Sequence, residues 1–243
     1  MTETDRPAFY ALESGGWRDY WSLLHPPYTL WHLSYVVIGA SIAPDVNVRW
    51  LLETLGAFFL AMGLAAHALD ELNGRPLKTK ISDVVLKTIA VVGLLGAIGL
   101  GVDGTIEVSA WLWVFIVVGG FIVVAYNLEL FGGLFHSDLW FAIAWGAFPA
   151  LTGFFAQTAK TTVAAVGVAG ACAMLSAAQR VLSTPVRRLR RSVREVRGEL
   201  ELADGTIEPL DAASLRSAPE RALRWLSAAV PLLAAALLTA RLT

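Results

Sequence analysis

A single cysteine, Cys172, leaves nothing from which a disulfide framework could be built. It stands in an Ala/Gly-rich apolar run and reads as a small packing residue. Charge is scarce too. Only 16% of the 243 residues are Asp, Glu, Lys or Arg, where a soluble domain carries about 25%. The formal net charge of −1 offers no basic surface for nucleic acid, and no nucleic-acid partner is expected. The opening stretch, Met1 to Gly16, is polar and acidic rather than apolar, so no cleavable signal peptide is expected. What is abundant is hydrophobic sequence, 56% of the chain, with a mean hydropathy of +0.59.

That sequence falls into seven apolar runs, near residues 28–44, 50–69, 83–101, 108–128, 138–158, 161–182 and 222–240. About 20 apolar residues span a bilayer's hydrocarbon core, so the runs predict an all-α, polytopic membrane bundle of about seven helices, one membrane domain over 1–243. An odd number of crossings puts the termini on opposite sides. Sixteen of the 19 Lys and Arg then fall on the N-terminal side, against Arg49, Lys160 and Arg241 on the other, which predicts a cytoplasmic N-terminus. Trp17, Tyr20, Trp21, Tyr28 and Trp31 suit an interfacial aromatic belt on that side.

One polar excursion, residues 183–220, precedes the last run. Thr184-Pro185 reads as a helix start, and Val186, Leu189, Val193, Val196 and Leu200 recur every three or four residues among six arginines. The pattern predicts an amphipathic helix over 185–200 lying on anionic lipid headgroups. Glu199 to Leu210 alternates around Asp204-Gly205 and predicts a hairpin, and Ser217 with Glu220 reads as a capping box opening the last helix.

The chemistry-bearing residues are few and gathered at one end. His25, His32, His67 and His136 all lie at the N-terminal-side ends of apolar runs, accompanied by Asp70, Glu71, Glu129 and Asp138. Ionisable groups inside or beside membrane helices are costly and mark candidate sites. His67 and Asp70 share a helix face, with Glu71 flanking. Imidazole and carboxylate at one depth can hold a divalent metal, so His32, His67, Asp70, Glu71, Glu129 and His136 are candidate ligands. His25, before Pro26-Pro27, reads as a headgroup-level residue, and Asp138 as an acidic helix cap. Arg75, Lys78, Lys80 and Arg180 could hold an anionic head group at the same end.

The order of short motifs resembles the UbiA-type intramembrane prenyltransferases. Ala66-His67-Ala68-Leu69-Asp70 occupies the place of that family's aspartate-rich metal motif, followed by Arg75-Pro76-Leu77 and Ile81-Ser82. Tyr126 to Gln157, with Trp145-Gly146-Ala147-Phe148-Pro149, is similar to the family's middle helices, and the likeness covers roughly residues 30–182. It implies a metal-dependent transferase acting on an isoprenoid-like lipid at the cytoplasmic face. Asp70, Glu71 and Arg75 would be catalytic, and Arg75, Lys78, Lys80, Tyr126 and Arg180 would bind substrate with Mg²⁺ or Mn²⁺. His67 replaces the family's first aspartate, Gly74 its next, and no acidic residue lies between Leu139 and Arg194, where a second motif belongs. Two other readings follow from the residues themselves. One is a His/carboxylate Fe or Zn site for redox or hydrolytic chemistry. The other is a non-catalytic lipid-binding or scaffold protein.

Overall fold

A computed structural model describes residues 6–243. Among them the chain is a helical bundle of α1 (Trp17–Leu23), α2 (Pro26–Ser41), α3 (Val48–Leu72), α4 (Asp83–Glu107), α5 (Leu112–Asn127), α6 (Asp138–Thr158), α7 (Val163–Arg191) and α8 (Ala212–Leu242). Five of these, α3, α4, α6, α7 and α8, are long and apolar enough to cross a membrane; α5 is shorter but apolar. The starts of the long helices are written locally. Asn47, Ser82, Ser137, Thr162 and Asp211 each accept a hydrogen bond from the backbone N–H three residues on, which satisfies one of the donors a helix leaves open.

α2 is the centre. Trp31, Tyr35, Val36 and Ala40 are wholly buried, and the helix is flanked by α6 and α8. The first crossing is backbone to backbone. A Cβ on Gly39 would collide with the Ala150 carbonyl, and one on Gly153 with the Val36 carbonyl. Small residues permit this approach, which van der Waals packing rewards in lipid. α6 meets α7 the same way, a Cβ on Gly146 lying 2.6 Å from the carbonyl oxygen of Cys172, itself buried in the central cluster. The outer helices are bare apolar rods. Val91, Val92 and Leu95 of α4, Val114, Val117 and Phe121 of α5, and Leu232 and Leu233 of α8 are all exposed. Such a continuous apolar girdle is stable facing hydrocarbon, not water.

Several sequence expectations are corrected here. Pro185 does not begin a surface helix: α7 runs through it to Arg191. The interior proline is accommodated because a helix already about six turns old loses only one bond to it. The last helix opens at Ala212 rather than 222, and its capping box is Asp211 with Ser214, not Ser217 with Glu220. Glu220 instead sits inside α8 and holds Arg190 of α7 at 2.6 Å. Trp31 lies in the core rather than in the aromatic belt, whereas Trp17, Tyr20 and Trp21 are exposed. Between α7 and α8 a two-stranded antiparallel hairpin pairs Glu199–Glu201 with Ile207–Pro209.

Candidate functional site

At the end of the bundle opposite Arg49, Glu53, Asp103 and Glu107, which form their own ion-pair cluster, a polar cavity of about 350 Å³ opens among α2, α3, α5, α6 and α7. All four histidines line it, with Asp70, Glu129, Tyr126, Gln179, Arg180, Arg187 and Arg191. The residues come from five helices, from the loops that carry His25, Pro76, Glu129 and His136, and from the segment before α1, which contributes Tyr10.

Each imidazole is fixed by a backbone carbonyl. His25 Nδ1 lies 2.8 Å from the Leu23 oxygen, His32 Nδ1 2.7 Å from that of Trp145, His67 Nδ1 3.1 Å from that of Gly63 and His136 Nδ1 3.0 Å from that of Tyr126. A carbonyl can only accept, so in each ring Nδ1 is the donor, and a ring in its neutral form keeps an Nε2 lone pair. Local sequence explains why those carbonyls are available. The helix donor for Trp145 would be the N–H of residue 149, but that residue is Pro149 and has none. Trp145 and Gly63 also lie in stretches that widen to π-helix, Ile143–Ala147 and Phe59–Ala66, of the kind that gathers at functional sites. Leu23 is in the last turn of α1, where helix carbonyls are left open, and the Tyr126 carbonyl, in the last turn of α5, also accepts from Glu129 N at 3.3 Å. His25 stacks on His67 with ring centroids 4.1 Å apart, and His136 on Tyr126 at 4.5 Å. Burial, and then the neighbouring His67, hold His25 well below the usual imidazole range, so it is neutral.

Asp70 and Glu71 part company. Asp70 lines the cavity and has no hydrogen bond or ion pair from its carboxylate among the described residues. The strongest charges acting on it are those of Arg191 and Arg187. Glu71, adjacent and so about 100° around the helix, is 1% exposed and turned into the loop after α3. Its carboxylate accepts from the N–H groups of Leu77 and Thr79 and from the Thr79 hydroxyl, all at 2.9 Å. Glu71 is therefore a loop staple, not the metal ligand or catalytic group expected of it. Glu71→Gln should cost about 2 kcal/mol, since one acceptor becomes a donor facing a donor. Asp70→Asn should leave the apparent melting temperature of the detergent-solubilised protein near wild type, and a thermal melt of the two variants checks the contrast.

The same loop removes three more candidates. Arg75 is tied to the Ile81 carbonyl at 2.6 Å and to Asp83, and Lys78 and Lys80 are exposed; none of the three lines the cavity. Asp19 completes the fastening by accepting from Lys80 N at 3.1 Å and Gly15 N at 3.0 Å. Arg180 does line the cavity, although Asp138 binds it at 2.8 Å. In place of Arg75 and the lysines, α7 supplies Arg187 and Arg191, which the amphipathic reading had turned toward lipid. A signal for them was present. Arg180, Ser183, Arg187 and Arg191 stand at i, i+3, i+7 and i+11, one stripe of a continuous helix. His25 and Tyr10 are also drawn in, the former against its headgroup-level reading.

Sharing a cavity is not sharing an ion. Among the described residues no group of three or more His, Cys, Asp or Glu is arranged to hold a metal. With Glu71 engaged by the loop and Glu129 exposed, Asp70 is the one enclosed carboxylate in the cavity wall among the described residues. These residues do not fit the Mg²⁺ or Mn²⁺ that the resemblance implies, nor a three-ligand Fe or Zn centre.

Two enclosed polar atoms of residues in the cavity wall, the Tyr126 hydroxyl and Gln179 Oε1, have no hydrogen-bond partner among the described residues. Next to the cavity lies a groove between α3, α4, α5 and α6, lined almost wholly by apolar side chains such as Phe58, Leu94, Ile98, Phe115, Val123 and Phe148. Met62 and Trp145 belong to both walls. Compared with protein-family models, curated proteins and solved structures, the chain matches none of them.

Proposed function

We propose that the protein is a membrane-embedded enzyme, resembling the UbiA-type prenyltransferases, that acts on a lipid-soluble, isoprenoid-like substrate. The polar head enters the histidine-lined cavity, and the hydrocarbon tail lies along the adjoining groove. The observation that supports this reading is the shared wall: Met62 and Trp145 border a charged chamber on one side and an apolar channel on the other. An amphipathic molecule is what such a pair of spaces fits. α2 to α8 make seven crossings, and the excess of Lys and Arg at the cavity end puts that end, with the N-terminus, in the cytoplasm.

In this reading, the chain's own groups do the chemistry. Asp70 and the Nε2 lone pairs of His67 and His136 accept protons, and the Tyr126 hydroxyl donates one to the bound head. Fixed Nδ1–carbonyl bonds hold the rings in position so that no reorientation precedes transfer.

The groove gives the test. Gly120 lines it, and a Cβ there would meet open space, so Gly120→Leu fills the channel without a backbone clash. Isoprenoid-type lipid retained through purification and measured by mass spectrometry should fall about tenfold or more. That is the effect of displacing about two methylenes at ~0.8 kcal/mol each. Retained lipid that mirrors the bulk membrane in both proteins would refute the proposal.

A further inference from the structure

Resting on that reading of the cavity and groove, we propose that the cavity is a metal-independent oxyanion site. Arg187 and Arg191 take a phosphate-type head group and the Tyr126 hydroxyl donates to the same group. The cations at this end of α7 divide sharply by partner. Arg180 is bound to Asp138 and Arg190 to Glu220, while Arg188 is exposed. Arg187 and Arg191 are different. They line the cavity one helical turn apart, and neither has an ion-paired carboxylate among the described residues. Arg187 reaches only the Thr184 hydroxyl, at 3.4 Å, and Arg191 donates through Nε to the Pro7 carbonyl at 3.2 Å.

Partly buried guanidinium groups with no carboxylate in ion-pair contact are costly, and an anion in the cavity lowers that cost. Their planar forks match phosphate oxygens in pairs. The second observation is independent of charge. Tyr126 is 5% exposed and its hydroxyl has no partner among the described residues, although the ring is firmly held against His136 and Trp145. A buried donor left open in the wall that also carries two guanidinium groups, neither in ion-pair contact with a carboxylate among the described residues, is half of a hydrogen-bonded anion site. Of the carboxylates that would be needed to hold the same head through divalent ions, the wall offers only Asp70 and the exposed Glu129 among the described residues.

Tryptophan fluorescence of the full chain in detergent, with Trp145 in the wall, reads the test. Three probes are titrated in excess EDTA: geranylgeranyl diphosphate, geranylgeraniol and inorganic diphosphate. The lipid diphosphate is expected to bind at least about tenfold more tightly than the alcohol, the scale of one charge-assisted hydrogen bond. Arg187→Gln and Arg191→Gln should each remove most of that preference, and Arg188→Gln should keep it. Equal binding of diphosphate and alcohol, or diphosphate binding only once Mg²⁺ is restored, overturns the oxyanion site and leaves the lipid reading standing. Inorganic diphosphate binding as tightly as the lipid supports the oxyanion site and removes the tail from the reading. No binding of any probe overturns both. The wild-type comparison of head groups decides the matter even if a variant fails to fold.

Discussion

Glu220→Ala is expected to lower stability by about 3–5 kcal/mol, because it strands a guanidinium that the bundle has already removed from water. The Arg190 side chain is 2% exposed and that of Glu220 11%, with Nε and Oε1 2.6 Å apart across α7 and α8. Arg216, at 4.0 Å from the same carboxylate, adds little. The pair also fixes what surrounds it, since Arg190 donates to the Arg6 carbonyl at 3.1 Å and Arg191 to that of Pro7. Replacing both partners by apolar residues, Arg190→Met with Glu220→Leu, should recover much of the loss, because no charge is then left behind. Apparent melting temperature in detergent measures both; a Glu220→Ala protein that melts like wild type would contradict the burial.

The second large effect is steric. Gly153→Ala should cost more than about 3 kcal/mol, and Gly39→Ala a similar amount, because each added methyl meets a carbonyl of the facing helix rather than a side chain that can move. Separating α2 from α6 also pulls the Trp145 carbonyl away from His32, so the damage extends to the cavity. Gly167→Ala and Gly170→Ala in α7, where a Cβ meets open space, should be neutral or mildly stabilising, since alanine is the better helix former. The yield of monodisperse protein from size exclusion separates the two pairs.

The end of the bundle that carries the polar chamber was readable in the sequence. Histidines and acids in so apolar a chain are conspicuous, and four imidazoles at the same ends of their helices imply one depth. Which face each residue takes was harder to read. Asp70 and Glu71 are neighbours with the same chemistry, and only the path of the loop through Leu77 and Thr79 decides which of them is withdrawn. Arg187 and Arg191 were hidden by Pro185. Proline is a good helix opener as well as a tolerated interior residue, and the sequence around it suits both. The buried pair Arg190–Glu220 joins residues 30 apart in sequence, with a hairpin between them, and no local pattern signals such a partnership.

Cys172 has a practical use that follows from its place in the α6–α7 contact. The chain's one thiol is 2% exposed, packed among Trp31, Tyr35 and Ala169, and so is shielded from maleimide reagents. Cysteines introduced one at a time, at Lys160 on one rim or Arg188 on the other, would therefore report labelling without background. Impermeant and permeant reagents applied to intact cells would then show which rim faces outward.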